Sequence, residues 1–153
     1  MVHNVCEFKV ELGDTDSAGL VYYPNYFRWF DRATRDCLRV TGLTPKEMLE
    51  KFHFDQPVVN CGCNFYAPLR YDDTVHLETE ITEVREKTFR LEHKIYREAE
   101  LVASGYEIRA WVEIDNPLDE GKLNSVAIPR YFAEIFKEEG EPEPYDEFVE
   151  VTD

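Results

Sequence analysis

No run in this 153-residue sequence approaches the roughly 18 uncharged apolar residues that cross a bilayer as a helix. A helical membrane span is therefore not expected. The opening residues, "MVHNVCEFKVEL", alternate and carry charge, unlike the apolar core of a secretory leader. The expected location is cytoplasmic. Bases are scarce: 17 Lys and Arg stand against 32 Asp and Glu, a formal net charge of −15. Phosphate binding needs a basic surface, so nucleic acid is not the expected partner. Eight acids and no base fall in residues 138–153, leaving −7 over the rest. The simplest use of that excess is solubility. Cysteine is sparse, with Cys6, Cys37, Cys61 and Cys63 alone. Cys61-Gly-Cys63 lacks the second pair that a zinc site uses, and His3, His53, His76 and His93 are scattered. No metal site is expected. Cys6, Cys61 and Cys63 fall at apolar positions of alternating segments and read as small buried hydrophobes in a reducing cell. No repeat or low-complexity linker precedes the C-terminal tail.

What is present is globular composition: 43% hydrophobic and 14% aromatic residues, enough for a single core. One domain is expected over residues 1–138, with 139–153 as an acidic tail. Residues 5–12 alternate strictly, with Cys6, Phe8, Val10 and Leu12 against Glu7, Lys9 and Glu11, a half-buried strand. Residues 13–22 carry loop chemistry. Pro24 suits a first helical turn, and from Tyr26 the period becomes helical. Tyr26, Phe27, Trp29, Phe30, Ala33, Cys37, Leu38 and Val40 share one broad side. Arg28, Arg32, Arg35 and Arg39 mark the other, and Gly42 supplies a C-cap. Thr44-Pro45-Lys46-Glu47 opens a short helix with a capping box. Strand patterns follow near 57–66, 73–84, 88–98 and 101–114. In the last of these, Tyr106, Ile108, Ala110, Val112 and Ile114 form the apolar set. Arg85-Glu86-Lys87 reads as a hairpin turn, "NPLDEG" at 116–121 as another, and Pro129 to about Glu138 as a short helix. A helix this widely apolar needs broad cover, so the economical fold is α+β: one antiparallel five-stranded sheet wrapped around one long helix.

The chemistry concentrates in "GDTDSAGLVYYPNYFRWFDRATRD", residues 13–36. From the residues alone, Asp16 is either a turn or N-cap acid or a reactive carboxylate. A helix N-terminus offers unpaired N–H donors and partial positive charge, which suit both. Asp14 reads as a turn-forming acid, and Gly19 as a residue that frees the backbone for an unusual conformation.

The stretch resembles the signature of the hotdog-fold acyl-CoA thioesterases, specifically the 4-hydroxybenzoyl-CoA thioesterase family. Its pattern is Asp-x-Asp-x-x-Gly, an aromatic, Asn-Tyr and a helix. "YAPLRYDD" at 66–73 also fits. The resemblance implies a thioester hydrolase with no cofactor beyond the coenzyme A of its acyl-CoA substrate. It implies Asp16 as the catalytic carboxylate, either nucleophile or base, and the backbone N–H near Tyr23 as the donor to the thioester carbonyl. The Tyr22-to-Tyr26 run favours the aryl-CoA branch, 4-hydroxybenzoyl- or gentisyl-CoA, because the short-chain branch usually has His where Tyr23 stands. Asp31, Asn60 and Gly62 become pocket candidates, with a salt-bridge partner and an ordinary sheet glycine as plainer readings of the first and last. Arg85, Lys87 and Arg90 become candidates for the coenzyme A phosphates, although Glu86 replaces a base common in aryl-CoA members. The arginine stripe reads as a solvated face, or else as a phosphate or partner contact. The family implies a homo-oligomer, a dimer or a dimer of dimers, joined at sheet edges. Hotdog dehydratases usually carry a His five residues after the Asp; here that position is Val21, which speaks against them. A non-catalytic acyl-CoA-binding module stays open. An acidic carrier protein is disfavoured by charge.

Overall fold

The structure is a computed structural model that describes residues 1–114 and 123–138. The alternating segment forms strand β1 (His3–Lys9). It ends earlier than the pattern suggests, because the chain turns into a 3-10 segment at Leu12–Asp14 and leaves Leu12 68% exposed. Helix α1 (Pro24–Leu38) has Pro at its first position. It tightens into a 3-10 turn at Arg39–Thr41 and stops at Gly42, whose φ of 82° is the left-handed cap. Helix α2 (Pro45–Phe52) opens with the expected reciprocal cap: Glu47 N–H donates to Thr44 Oγ1 at 3.1 Å and Thr44 N–H to Glu47 Oε1 at 3.2 Å.

The remaining elements are β2 (Phe54–Asp55), β3 (Val58–Phe65), β4 (Thr74–Val84), β5 (Thr88–Arg97), β6 (Glu100–Ala110), β7 (Val112–Ile114), β8 (Leu123–Ser125) and α3 (Arg130–Lys137). Five strands form one antiparallel sheet in the order β1-β4-β5-β6-β3, with α1 on one face. Trp29, Phe30 and Ala33 of α1 pack there with Val75, Leu77 and Ile95. This is the expected hotdog arrangement. The Arg85–Lys87 turn joins β4 to β5, with Arg85 N–H on Thr88 C=O at 2.8 Å. A second core gathers α2 and α3 around Trp111, Phe89, Phe132 and Phe136. The three short strands β2-β7-β8 form a small sheet that the periodicity does not announce. The "NPLDEG" turn and the acidic tail lie outside the described residues.

Two expectations need correction. In β6 the set facing α1 is not the apolar one. Glu107 and Arg109 are buried at 3% and 2%, while Tyr106 and Ile108 are only partly buried. Gly105 shares the inward phase: a Cβ there would meet the Phe30 ring and stand 2.7 Å from Gly62 O. The inversion is tolerated because the inward charges are paired. The cysteines also differ. Only Cys37 is buried; Cys6 and Cys63 are half-buried and Cys61 is exposed, because β3 is an edge strand.

Candidate active site

The loop from Leu12 to Tyr22 is pinned by its own acids. Asp14 Oδ2 accepts Glu11 N–H at 2.8 Å, the turn-forming role expected of it. Asp16 Oδ1 accepts Ala18 N–H at 2.8 Å and Leu20 N–H at 3.2 Å. Asp16 N–H donates to Leu20 C=O at 2.7 Å, and Gly19 N–H to Asp16 C=O at 3.0 Å. Gly19 has φ of 77°, a conformation that a side chain would strain. Val21 N–H reaches Leu69 C=O at 2.9 Å, and Leu20 bridges Arg70. One oxygen of Asp16 is thus held by backbone donors. The other, Oδ2, has no partner among the described residues, and the side chain is exposed. A fixed carboxylate with a free oxygen can act as nucleophile or as base.

Tyr23 caps α1, and Pro24 next to it has no N–H to compete. Asn25 N–H folds back on Tyr22 C=O at 2.9 Å and Tyr26 N–H on Tyr23 C=O at 3.2 Å. The Tyr23 N–H itself has no acceptor among the described residues, so it is a free donor at the positive end of the helix. Loop and helix are joined directly, because Asp14 C=O accepts both Tyr22 N–H at 2.9 Å and Asn25 Nδ2 at 2.8 Å. Tyr22 and Tyr23 expose their rings beside this point, and Phe65 packs on Tyr26 with centroids 4.8 Å apart.

Asp31 is tied to two arginines. Its Oδ1 accepts Arg109 Nη2 at 2.9 Å and its Oδ2 accepts Arg35 Nε at 3.0 Å. It also lines a cleft of about 640 Å³ with Asp14, Phe27 and Arg28. Behind it runs a buried polar network that sequence reasoning missed. Arg109 Nη2 donates to Glu107 Oε2 at 2.6 Å and its Nη1 to Gln56 C=O at 2.9 Å. Glu107 Oε1 accepts from the Thr34 hydroxyl and from His93 Nε2 at 2.9 Å. His93 Nδ1 and the Thr79 hydroxyl share a hydrogen bond at 2.7 Å, and the ring stacks on Phe30 at 4.4 Å. Burial alone pushes the Glu107 carboxyl up. The His93 bond, the Arg109 charge and the Thr34 bond outweigh it and hold the pKa at about 2. Of the arginine stripe, Arg35 pairs with Asp31 and Arg39 with Asp36.

Asn60 and Gly62 face the other side of the sheet. There Tyr106 OH donates to Asn60 Oδ1 at 3.1 Å, and the Tyr106 ring lies where a Gly62 Cβ would stand, 2.8 Å away. Arg90 stacks over the same ring at 4.3 Å. Arg90 and Arg85 line one small pocket of about 120 Å³; Arg85 also pairs with Glu83 at 2.7 Å, and Lys87 is exposed on the turn. One chain therefore hydrogen-bonds the loop that carries Asp16 to the Tyr23 end of α1, and separately groups Asn60, Gly62 and Arg90 around Tyr106. It holds the Asp16 loop and the Arg85 turn toward opposite ends of β4. The loop follows β1, whose end meets the start of β4 where Val10 N–H donates to Asp73 C=O, and its Leu20 bridges Arg70; Arg85 follows the far end of β4. Eleven strand residues separate those ends, about 35 Å.

The fold is that of the hotdog proteins, and the start of α1 with the Asp16 loop is its candidate active site. A profile of the Thioesterase-like superfamily matches residues 10–136. The chain belongs to that superfamily and is an enzyme, a thioester hydrolase. It is 33% identical over 134 residues to the 4-hydroxybenzoyl-CoA thioesterase of Pseudomonas sp. (strain CBS-3), covering 83% of this chain and 92% of that one. The solved structure of that enzyme matches with a TM-score of 0.78 and 31% identity, over 88% of this chain and 99% of its own. The structure of BH1999 gentisyl-coenzyme A thioesterase matches with a TM-score of 0.75 and 38% identity, over 84% and 98%. A 1,4-dihydroxy-2-naphthoyl-CoA hydrolase of Prochlorococcus marinus (strain NATL2A) is 29% identical over 102 residues, 62% of this chain and 66% of that one.

Proposed function

We propose that the protein is a cytoplasmic acyl-CoA thioesterase that hydrolyses a hydroxylated benzoyl-CoA, 4-hydroxybenzoyl- or gentisyl-CoA, to the free acid and coenzyme A. The observation that carries this reading is a carboxylate oxygen and a helix-start N–H, both without a partner among the described residues, on segments hydrogen-bonded to each other. The thioester carbonyl oxygen accepts the Tyr23 N–H. As negative charge grows on that oxygen, the donor and the helix end stabilise it by about 3–4 kcal/mol. Asp16 then acts by one of two routes. Its Oδ2 attacks the carbonyl carbon and expels the thiolate, leaving a mixed anhydride that water opens. Alternatively, it takes a proton from the water that attacks. The exposed rings of Tyr22, Tyr23, Phe65 and Tyr66 support an aromatic acyl group. A panel of CoA esters, followed by thiol release, tests the acyl group. The expected result is kcat/KM at least about tenfold higher for 4-hydroxybenzoyl or gentisyl than for short aliphatic or dihydroxynaphthoyl esters, the scale of a small pocket mismatch. A preference for aliphatic esters overturns the aryl assignment.

The separation of Asp16 from Arg85 and Lys87 fits a site shared between two copies. Strand β3 is an uncovered edge on which Val58, Val59 and Phe65 are exposed. A two-fold pairing of β3 with itself is necessarily antiparallel. It lays the Asp16 end of one copy beside the Arg85 end of the other. Asp16 from one chain then meets substrate whose phosphates lie on Arg85, Lys87 and Arg90 of its partner. Equimolar mixing and re-association of Asp16→Asn chains with Arg85→Ala/Lys87→Ala chains should restore activity at low substrate to about a quarter of wild type, because about half of the dimers are mixed and one of the two sites in each is intact. No gain over the separate variants contradicts the shared site.

A further inference from the structure

Asp16 and Tyr23 lie on separate segments, the loop and the start of α1. One buried polar side chain spans that gap. Asn25 is 7% exposed and lies in the first turn of α1, a position sequence patterning assigns to neither core nor site. Its Nδ2 donates to Asp14 C=O at 2.8 Å, two residues before Asp16. Its backbone N–H donates to Tyr22 C=O at 2.9 Å, one residue before Tyr23. Its Oδ1 accepts Arg28 Nη1 at 3.1 Å. A guanidinium only donates, so Arg28 requires the amide oxygen on its side and turns the NH₂ toward Asp14. The chain of donors is directional: Arg28 to Asn25, Asn25 to the Asp14 carbonyl, with Tyr22 N–H closing on the same carbonyl.

We propose that Asn25 is a positioning residue that clamps the Asp16 loop to the Tyr23 end of α1, with Arg28 setting the orientation of its amide. This rests on the assignment of Asp16 and Tyr23 above. Asn25 and Arg28 act through the Asp16 loop and the start of α1, although Arg28 also lines the Asp31 cleft. They hold the distance between the attacking carboxylate and the N–H that receives the carbonyl oxygen, and misplacement on the order of 1 Å costs about 10²-fold in rate. Substrate binding spreads over other surfaces, so the clamp acts on kcat and not on KM.

The test compares Asn25→Ala, Asn25→Asp, Arg28→Met, Arg28→Gln and the Asn25→Ala/Arg28→Met double variant on 4-hydroxybenzoyl-CoA, with thermal melts as a check on folding. Asn25→Ala is expected to lose about 10²-fold in kcat with KM within about threefold. Asn25→Asp places a carboxylate oxygen against the Asp14 carbonyl and is expected to lose at least as much. Arg28 is exposed, so its variants should fold. Arg28→Met should lose about five- to tenfold in kcat, and Arg28→Gln, which keeps an N–H donor, should recover to within about threefold of wild type, since orienting the amide takes a donor and not a charge. In the Asn25→Ala background, Arg28→Met should change nothing further, because Arg28 acts through Asn25. Wild-type kcat in folded Asn25→Ala overturns the clamp. So does a loss seen mainly in KM, or full additivity of the two substitutions, which would put Arg28 on the substrate itself. Asp16→Asn run alongside separates the two assignments: if it keeps activity, the site is wrong; if it is dead while Asn25→Ala is normal, only the clamp is wrong.

Discussion

Replacing Glu107 with Ala is expected to lower the folding stability by about 3–4 kcal/mol at pH 7, which for a chain of this size is about 10 °C in Tm. Glu107 is buried against α1 and accepts from His93, Thr34 and Arg109. Its removal leaves the Arg109 charge, itself 2% exposed, with one half-exposed acid, Asp31. It also strips a hydrogen-bond partner from two buried side chains, each a cost of about 1–3 kcal/mol. The same network predicts an acid response. The carboxyl has a folded pKa of about 2, against about 4.3 in an unfolded chain. The unfolded chain therefore takes up the proton first as pH falls. The stability this group contributes, about 3 kcal/mol, is full above about pH 5 and drains away toward pH 2. Melts of wild type and Glu107→Gln between pH 7 and pH 3 check this: the gap between them should narrow as pH falls. A gap that is absent at pH 7, or that widens in acid, contradicts the assignment.

The network also shows where sequence reading stops. A hydropathy pattern can only assign the apolar set of a strand to the core, so β6 reads with Tyr106 and Ile108 inward. The sheet register puts Glu107 and Arg109 inward, where they pair with each other and where Glu107 finds donors on α1 and β5 and Arg109 a second acid on α1, contacts more than ten residues away in sequence. The burial of Thr34 and of Asn25, the latter named only as part of the signature, was invisible for the same reason: a polar residue on a helix is buried only when a distant partner exists for it. The small sheet has strands of two and three residues, too short to carry a period. What local chemistry dictates was legible. The Pro24 start, the Gly42 stop and the Thr44–Glu47 cap of the helices depend on neighbours within four residues. The inward phases of β4 and β5 follow from simple alternation. Asp14 as a turn former and Gly19 at positive φ were readable from the loop itself. The assignment of Asp16 and the Tyr23 N–H to one site is a proposal that came from the motif; what the structure adds is the set of hydrogen bonds that ties the Asp16 loop to the start of α1. The grouping of Asn60, Gly62 and Arg90 around Tyr106, away from Asp31, needed the sheet.

The central claim is that Asp16 carries out the reaction, and its most direct test is thiol release from 4-hydroxybenzoyl-CoA by wild type and Asp16→Asn. Asn keeps an oxygen where Oδ1 accepts Ala18 and Leu20 N–H, so the loop and the Tyr23 donor stay in place. It removes the charge from the free oxygen, which can then neither attack the carbonyl nor take a proton from water. The expected result is a fall in kcat of about 10³-fold or more, with KM within about threefold and an unchanged melt. A folded Asp16→Asn that retains more than about a tenth of the wild-type kcat would contradict the assignment, since general-base or nucleophilic loss is worth at least about 10².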